Sequence, residues 1–409
     1  MRWLRGALRR IRRDRDRGSV SVIVAALFFS GLMLGCAALT VDVGSISAER
    51  RQLQNGADAV ALAAATMCVK DGSCPSATDP GLTTLADDNA QDDATKIARV
   101  DGGTPVCGVG PGLPECPTVS GDLGDCVDPD SGPLPGPYLR VYTQTESKAK
   151  DSTILPYFFG EAVVGGDGTT QQTCATATWG TPGSMSATIP FTFSACEWTE
   201  ATHGDPADPS TGVYPSAPPY PPYPGSSFET VIKLNNINDA ASECETWNGH
   251  DVPGGFGWLD DGGAGTCQVP TTSGDWKHIQ TGSAPPNGCI NVLSNMVTSG
   301  KRILYIPVYD CMADHDMGDV APVEGQDCYP STATGQHVWY HLAGYAKFYL
   351  TGYVLAGGTS KSVITGTQPC TSSQKCLSGF FLKGLVPQAE ISTDPTTPSF
   401  GLDTIQMAG

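Results

Sequence analysis

Apolar side chains in this chain come first as one unbroken block and only later as periodic patterns. Residues 19–41 form a run of 23 positions without a charged side chain. As a helix the run is about 35 Å long, enough to cross a hydrocarbon core of about 30 Å. Its apolar character goes all round, unlike the one-sided stripe of a soluble surface helix. Beyond Asp42 the pattern changes without a break. Residues 42–66 are rich in helix formers, and Ile46, Leu53, Val60 and Ala64 recur close to helical spacing. One rod leaving a bilayer is therefore predicted. Gly56 is its weak point, at about 1 kcal/mol relative to Ala. Ala57, Ala61, Ala64 and Ala65 make a small-residue face that suits close packing on a sheet or another helix, within the chain or between molecules.

The remainder mixes short strand patterns with turns. Residues 68–136 are loop-rich, with one helix predicted over 82–98. Strands are predicted at 137–145 and 172–179, with a short apolar segment at 155–160 between them. A helix packed on such strands makes a small α+β unit over 42–182. Residues 183–409 read as a mainly β domain, with β-branched and aromatic runs at 189–194, 228–234, 302–309, 337–355 and 379–386. Pro307 marks an edge or a bulge in its strand. The Pro- and Tyr-rich insert 213–225 is extended and semi-rigid, a spacer or a contact strip. The expected fold class is α+β: one N-terminal transmembrane helix continuing outward, a small α+β unit, then a disulfide-rich mainly β domain.

Charge sets the orientation. Residues 1–17 carry eight of the 24 basic residues and two acidic ones, leaving 16 basic against 40 acidic beyond them. Cationic flanks stay in the cytoplasm, so residues 1–17 are expected inside and 42–409 outside. An exterior this acidic repels phosphate backbones and excludes nucleic acid as a partner. The expected partner is the lipid bilayer. The same run has three other readings, of which a twin-arginine export signal is opposed by Asp14 directly after Arg12-Arg13. Of the remaining two, one is a cleaved secretory signal, with small Ala37 and Ala38 near its end. The other is a lipoprotein signal, because Leu34-Gly35-Cys36 is similar to the end of a lipobox. Either would make the chain a secreted or lipid-anchored extracellular binding module.

Cysteine usage agrees with an oxidising exterior. Besides Cys36 within the run there are fourteen: Cys68, Cys74, Cys107, Cys116, Cys126, Cys174, Cys196, Cys244, Cys267, Cys289, Cys311, Cys328, Cys370 and Cys376. An even set permits seven disulfides. Cys68 with Cys74 and Cys370 with Cys376 would close short loops, and Cys311 with Cys328 is a third pairing. Cys244, Cys267 and Cys289 admit several. No pair has the C-x₂-C spacing of a zinc site.

Candidate chemistry is sparse. His337 and His341 share one face of a strand, too far apart at about 3.3 Å per residue to hold one metal. Asp310, Asp314, Asp316 and Asp319, with His315 among them, form an acidic loop that could take calcium but misses the EF-hand spacing. Asp260-Asp261 opens a turn. Serine-hydrolase, zinc-protease and phosphate-loop signatures do not occur. No cofactor is expected, and the protein is expected not to be an enzyme. A hydrolase built on carboxylates such as Asp310 and Asp316 is the rival from that class.

The junction carries a resemblance. Gly18 leads into the apolar run, and Val41-Asp42-Val43-Gly44 closes it. Arg50, Leu53 and Gln54 follow, and then Asp58-Ala59-Val60-Ala61-Leu62. In order and spacing these groups resemble the N-terminal segment of TadE/TadG-like proteins of Flp (tight-adherence) pilus assembly. The resemblance implies a membrane-anchored component of that assembly, whose partners are other membrane proteins of the pilus or secretion machine. Ile23 stands five residues after Gly18, where the minor-pilin type has glutamate, so processing after Gly18 is not carried over. No Asp-x-Ser-x-Ser motif occurs, and no adhesion metal site is carried over either.

Overall fold

The computed structural model describes residues 2–90, 95–117, 134, 136–146, 152–159, 166–205, 208, 211–215, 225–234, 256–260, 267–279, 284–314 and 338–408. The first helix, α1 (Arg2–Asp71), is continuous through the apolar run and the segment after it. Between Val20 and Val43 its large apolar side chains stand exposed, and by length and composition this part is a candidate membrane span. From Leu53 onward one face is covered.

The cover is a six-stranded sheet. Its strands are β1 (Thr95–Ile97), β2 (Val106–Val109), β3 (Tyr138–Thr145), β6 (Gln172–Gly180), β17 (Gly384–Leu385) and β19 (Leu402–Met407). They run in the order β1-β3-β6-β19-β17, and β2 pairs with β3 beside β1. Two of the six therefore return from the C-terminal end of the chain. Ala57, Ala61, Ala64 and Ala65 are fully buried with Val60 against Leu139, Val141, Ala175, Ala177 and Trp179. Methyl groups on this face bring helix and sheet close together. The small-residue face is thus taken by the chain's own core.

A second helix, α2 (Pro80–Asp88), packs on α1 next to β1 and buries Leu82 and Ala86 in the same core. Asp79 caps it by accepting from the N–H groups of Gly81 and Leu82, with Pro80 at the first position. Gly56 is where the two helices meet: a Cβ there would lie 3.3 Å from the Ala86 carbonyl oxygen. What reads in the sequence as a weak point is a close-approach position. The helix expected over 82–98 stops at Asp88, because Thr95 and Ile97 pair with Thr145 and Thr143 of β3. Strand pairing overrides local propensity there. Strands β1 and β2 are further elements not expected from the sequence.

A second sheet has eight strands. These are β8 (Phe191–Ser194), β9 (Thr230–Lys233), β10 (Phe256–Trp258), β12 (Trp276–His278), β13 (Ile303–Asp314), β14 (Val338–Leu355), β15 (Gly358–Ser360) and β16 (Cys376–Leu382). They are ordered β10-β8-β13-β14-β16-β9, with β12 and β15 also on β14. The 18-residue β14 is the spine. The core against this sheet is aromatic: Phe193 lies 5.0 Å from Phe348 and 5.7 Å from Phe381 between ring centroids, and Trp198 lies 5.3 Å from Phe400. Smaller sheets are β11 (Val269–Thr272), β7 (Pro182–Ala187) and β18 (Glu390–Ile391), and the pair β4 (Leu155–Pro156) and β5 (Gly168–Thr169).

Two expectations for this half need correction, and a third is decided between its alternatives. Two helices, α3 (Ala195–Thr202) and α4 (Cys289–Ser299), lie in a region read as strands and turns. Strand β13, which holds Pro307, pairs with both β14 and β8, so it is no edge. Of the two readings of Pro307 the bulge holds: the register shifts beside it at Val308/Tyr309 and again at Tyr309/Cys311, and the Pro307 carbonyl accepts from Thr192. Residues 310–314 continue β13 and are not loop.

Four cysteine pairs are bonded: Cys68–Cys74, Cys107–Cys116, Cys267–Cys289 and Cys370–Cys376. Cys174, Cys196 and Cys311 are also disulfide-bonded, and Cys36 is free and exposed. Cys126, Cys244, Cys328, most of the 213–225 insert, and His315, Asp316, Asp319 and His337 lie outside the described residues. The Cys267–Cys289 bridge closes a 22-residue separation inside the aromatic core. Replacing both by Ser should lower unfolding stability by about 3 kcal/mol, read from denaturant curves against the parent protein.

Candidate functional site

Among the described residues, two polar places hold sequence-predicted site residues: the face of α1 nearest the apolar run, and a cleft at the far sheet. On α1 the residues are spaced by helical turns. Arg50, Gln54 and Asp58 stand at i, i+4 and i+8, one above the other. Arg50 donates from Nε to Gln171 Oε1 at 2.6 Å. Gln54 donates from Nε2 to Asp58 Oδ1 at 2.8 Å and to the Cys174 carbonyl at 3.1 Å. The Leu53 side chain is buried while its carbonyl accepts from the Thr143 hydroxyl at 3.0 Å. Gln171 is buried and held in turn, its N–H donating to Thr145 Oγ1.

Asp42 sits two helical turns nearer the apolar run. Its carboxylate is buried, 5% exposed, and accepts from the N–H groups of Phe158 at 2.8 Å and Phe159 at 3.1 Å. A loop between β4 and β5 is thereby tied to α1. Of the other junction residues, Ala61 is buried, Ala59 half-buried and Leu62 partly exposed. Gly44 has open space where a Cβ would stand, and Gly18 lies within α1. The arrangement is one of packing and hydrogen bonding between α1 and the folded strands. It fixes the rotation and angle of α1 against β3 and β6 by packing in the outer turns and hydrogen bonds nearer the apolar run.

The cleft encloses about 920 Å³ between β12, β13, β14 and the segment after β18. His341 Nδ1 and Asp310 Oδ1 are 2.6 Å apart, and the Trp276 ring lies 5.3 Å from the imidazole. The sequence places Asp310 in an acidic loop and His341 in a histidine pair. The fold joins them because the shifted register of β13 sets Cys311 opposite His341. Burial alone would lower the His341 pKa, but the hydrogen bond and charge of Asp310, with Asp275 nearby, outweigh it and raise it. Hydroxyls on the wall are engaged elsewhere: Ser184 with Glu390, Ser273 with the Ala343 carbonyl, Ser392 with Thr397. Among the described residues no group of three or more His, Cys, Asp or Glu could hold a metal ion. The Asp260 N–H donates to the His278 carbonyl, and Asp261 with the turn expected there lies outside the described residues.

With both places located, comparison favours the first. The family model described as "Putative Flp pilus-assembly TadE/G-like" matches residues 18–67. That stretch spans the exposed apolar part of α1 and its docked part, and ends just before Cys68. No curated protein and no solved structure matches the chain.

Replacing Gln54 by Ala removes a partner from the part-buried Cys174 carbonyl. It should destabilise the docked helix by about 1 kcal/mol, measurable as a lower midpoint in denaturant. The His341 pKa is raised in the fold, so its pairing contributes fully below the unfolded value of about 6.5 and is lost as pH rises through the folded value. The melting temperature of His341→Gln should therefore trail the parent most at about pH 5.5, with the gap narrowing by about pH 8.5.

Proposed function

We propose that the protein is a non-enzymatic cell-surface subunit of the Flp-type pilus-assembly machinery, anchored by one pass of α1. Residues 1–17 hold the cytoplasmic boundary and 19–41 span. Residues 42–409 are extracytoplasmic; the unit read as 42–182 is completed by β17 and β19 from the 183–409 segment. The carrying observation is the continuity of α1, whose exposed apolar turns run without a break into turns packed on the protein's own sheet. The family match covers this combination and little else. Eight arginines before the run and disulfides after it favour an inside N-terminus and an oxidising outside.

Gly18, Asp42, Gly44, Arg50, Leu53, Gln54, Asp58, Ala59, Ala61 and Leu62 serve as the anchoring and positioning set, not as catalysts. The outer small-residue face is already occupied within the chain. Other membrane proteins of the machine therefore meet α1 through its exposed part between Val20 and Val43, inside the bilayer, where packing replaces the hydrophobic effect.

The test uses right-side-out membrane vesicles carrying the full chain. The protein should resist alkaline extraction, keep residues 19–41 in its mature mass, and lose its exterior to added protease. A mature mass lacking the first ~35 residues would replace the anchor with a cleaved signal. An exterior untouched by protease would invert the topology.

A further inference from the structure

We propose that the loop carrying Phe158 and Phe159 is a second membrane contact, which lies in the headgroup region beside α1. This rests on α1 crossing the bilayer as proposed above. Asp42 is the first charged residue after the apolar run, so its carboxylate marks the level at which α1 leaves the hydrocarbon. The N–H groups of Phe158 and Phe159 bond to that carboxylate, which sets the loop at the same level.

What the loop presents there is apolar. Phe158 is 68% exposed, Phe159 53% and Ile154 40%, with Tyr157 half-buried between them. Elsewhere this protein buries its phenylalanines: Phe191, Phe193, Phe348, Phe380 and Phe400 are enclosed. Among the described residues the exposed ones are Phe28 and Phe29 within the apolar run and Phe158 and Phe159 beside its end. At that level of α1, Leu39, Val41 and Val43 are exposed as well, so the loop extends the apolar surface of the span sideways. Aromatic rings at the boundary between lipid tails and water are the common interfacial anchor. Exposed apolar residues elsewhere, such as Val109 and Val231, are scattered singly and need no such account.

A lone span leaves a protein free to swivel about the helix axis and to tilt. A second contact on a loop bonded to the helix fixes both, and presents the exterior at one orientation to the membrane.

Site-specific photocrosslinking in nanodiscs of phosphatidylcholine and phosphatidylglycerol tests this on the full-length protein. p-Benzoylphenylalanine is placed in turn at Phe28, Phe158, Phe159 and Val109. Val109 is the aqueous control, on β2 next to the segment bonded to Cys74 beyond the far end of α1. Lipid adducts are expected at 28, 158 and 159 and not at 109. Adducts at 28 with none at 158 and 159 overturn the loop contact and leave the anchor standing. No adduct at 28 overturns the anchor itself. Crosslinks from 158 and 159 to protein in place of lipid give the loop a protein partner and also overturn the contact. In Asp42→Ala the yield at 158 and 159 should fall several-fold while that at 28 holds. An unchanged yield removes Asp42 as the positioning residue.

Discussion

The close seating of α1 on β3 and β6 is the constraint on which the rest depends. Four alanines and Val60 bury their side chains where helix and sheet approach, and larger side chains would push the two apart. Toward the apolar run the packing gives way to directional bonds, donated by Arg50 and Gln54 and accepted by Asp42, which tolerate less rotation than methyl contacts do. A helix held by both kinds of contact cannot roll on its sheet. The exposed turns of α1 are thereby rigidly continuous with the folded sheets.

The folded part beyond α1 is tied together across long separations in the chain. Strand β19 returns from the C-terminal end to pair with β6, so the sheet under α1 is completed by a strand that follows the second sheet in the chain. The long β14 joins four neighbours and carries the aromatic core. Disulfides at the end of α1 and within that core limit the unfolded ensemble of a chain rich in Gly and Pro. The His341–Asp310 pair is a cleft feature of this second half, remote in role from the helix seat.

How much of this is legible in the sequence depends on the range of the interaction. The apolar run, the helix beyond it and strands β3, β6 and β14 follow from local composition and periodicity, and so does the bonding of Cys68 to Cys74 and of Cys370 to Cys376. Elements fixed by distant partners do not. Thr95 to Ile97 looks helical until β3 is there to pair with, and α4 begins at Gly288, which offers no capping side chain. The junction residues stand out as a pattern. Only the fold gives the reason, because Gln171, Cys174 and Phe158 lie more than a hundred residues beyond their partners. Asp310 and His341 meet through a register shift that no spacing rule contains.

Continuity of α1 from lipid to sheet is tested most directly by hydrogen–deuterium exchange of the full-length protein in nanodiscs, followed amide by amide over residues 36–60. One rigid helix predicts slow exchange throughout, including residues 42–50 where lipid ends and the sheet begins. A fast-exchanging break at 42–50 between protected flanks would mean a hinge joining two independent helices, and would contradict the account.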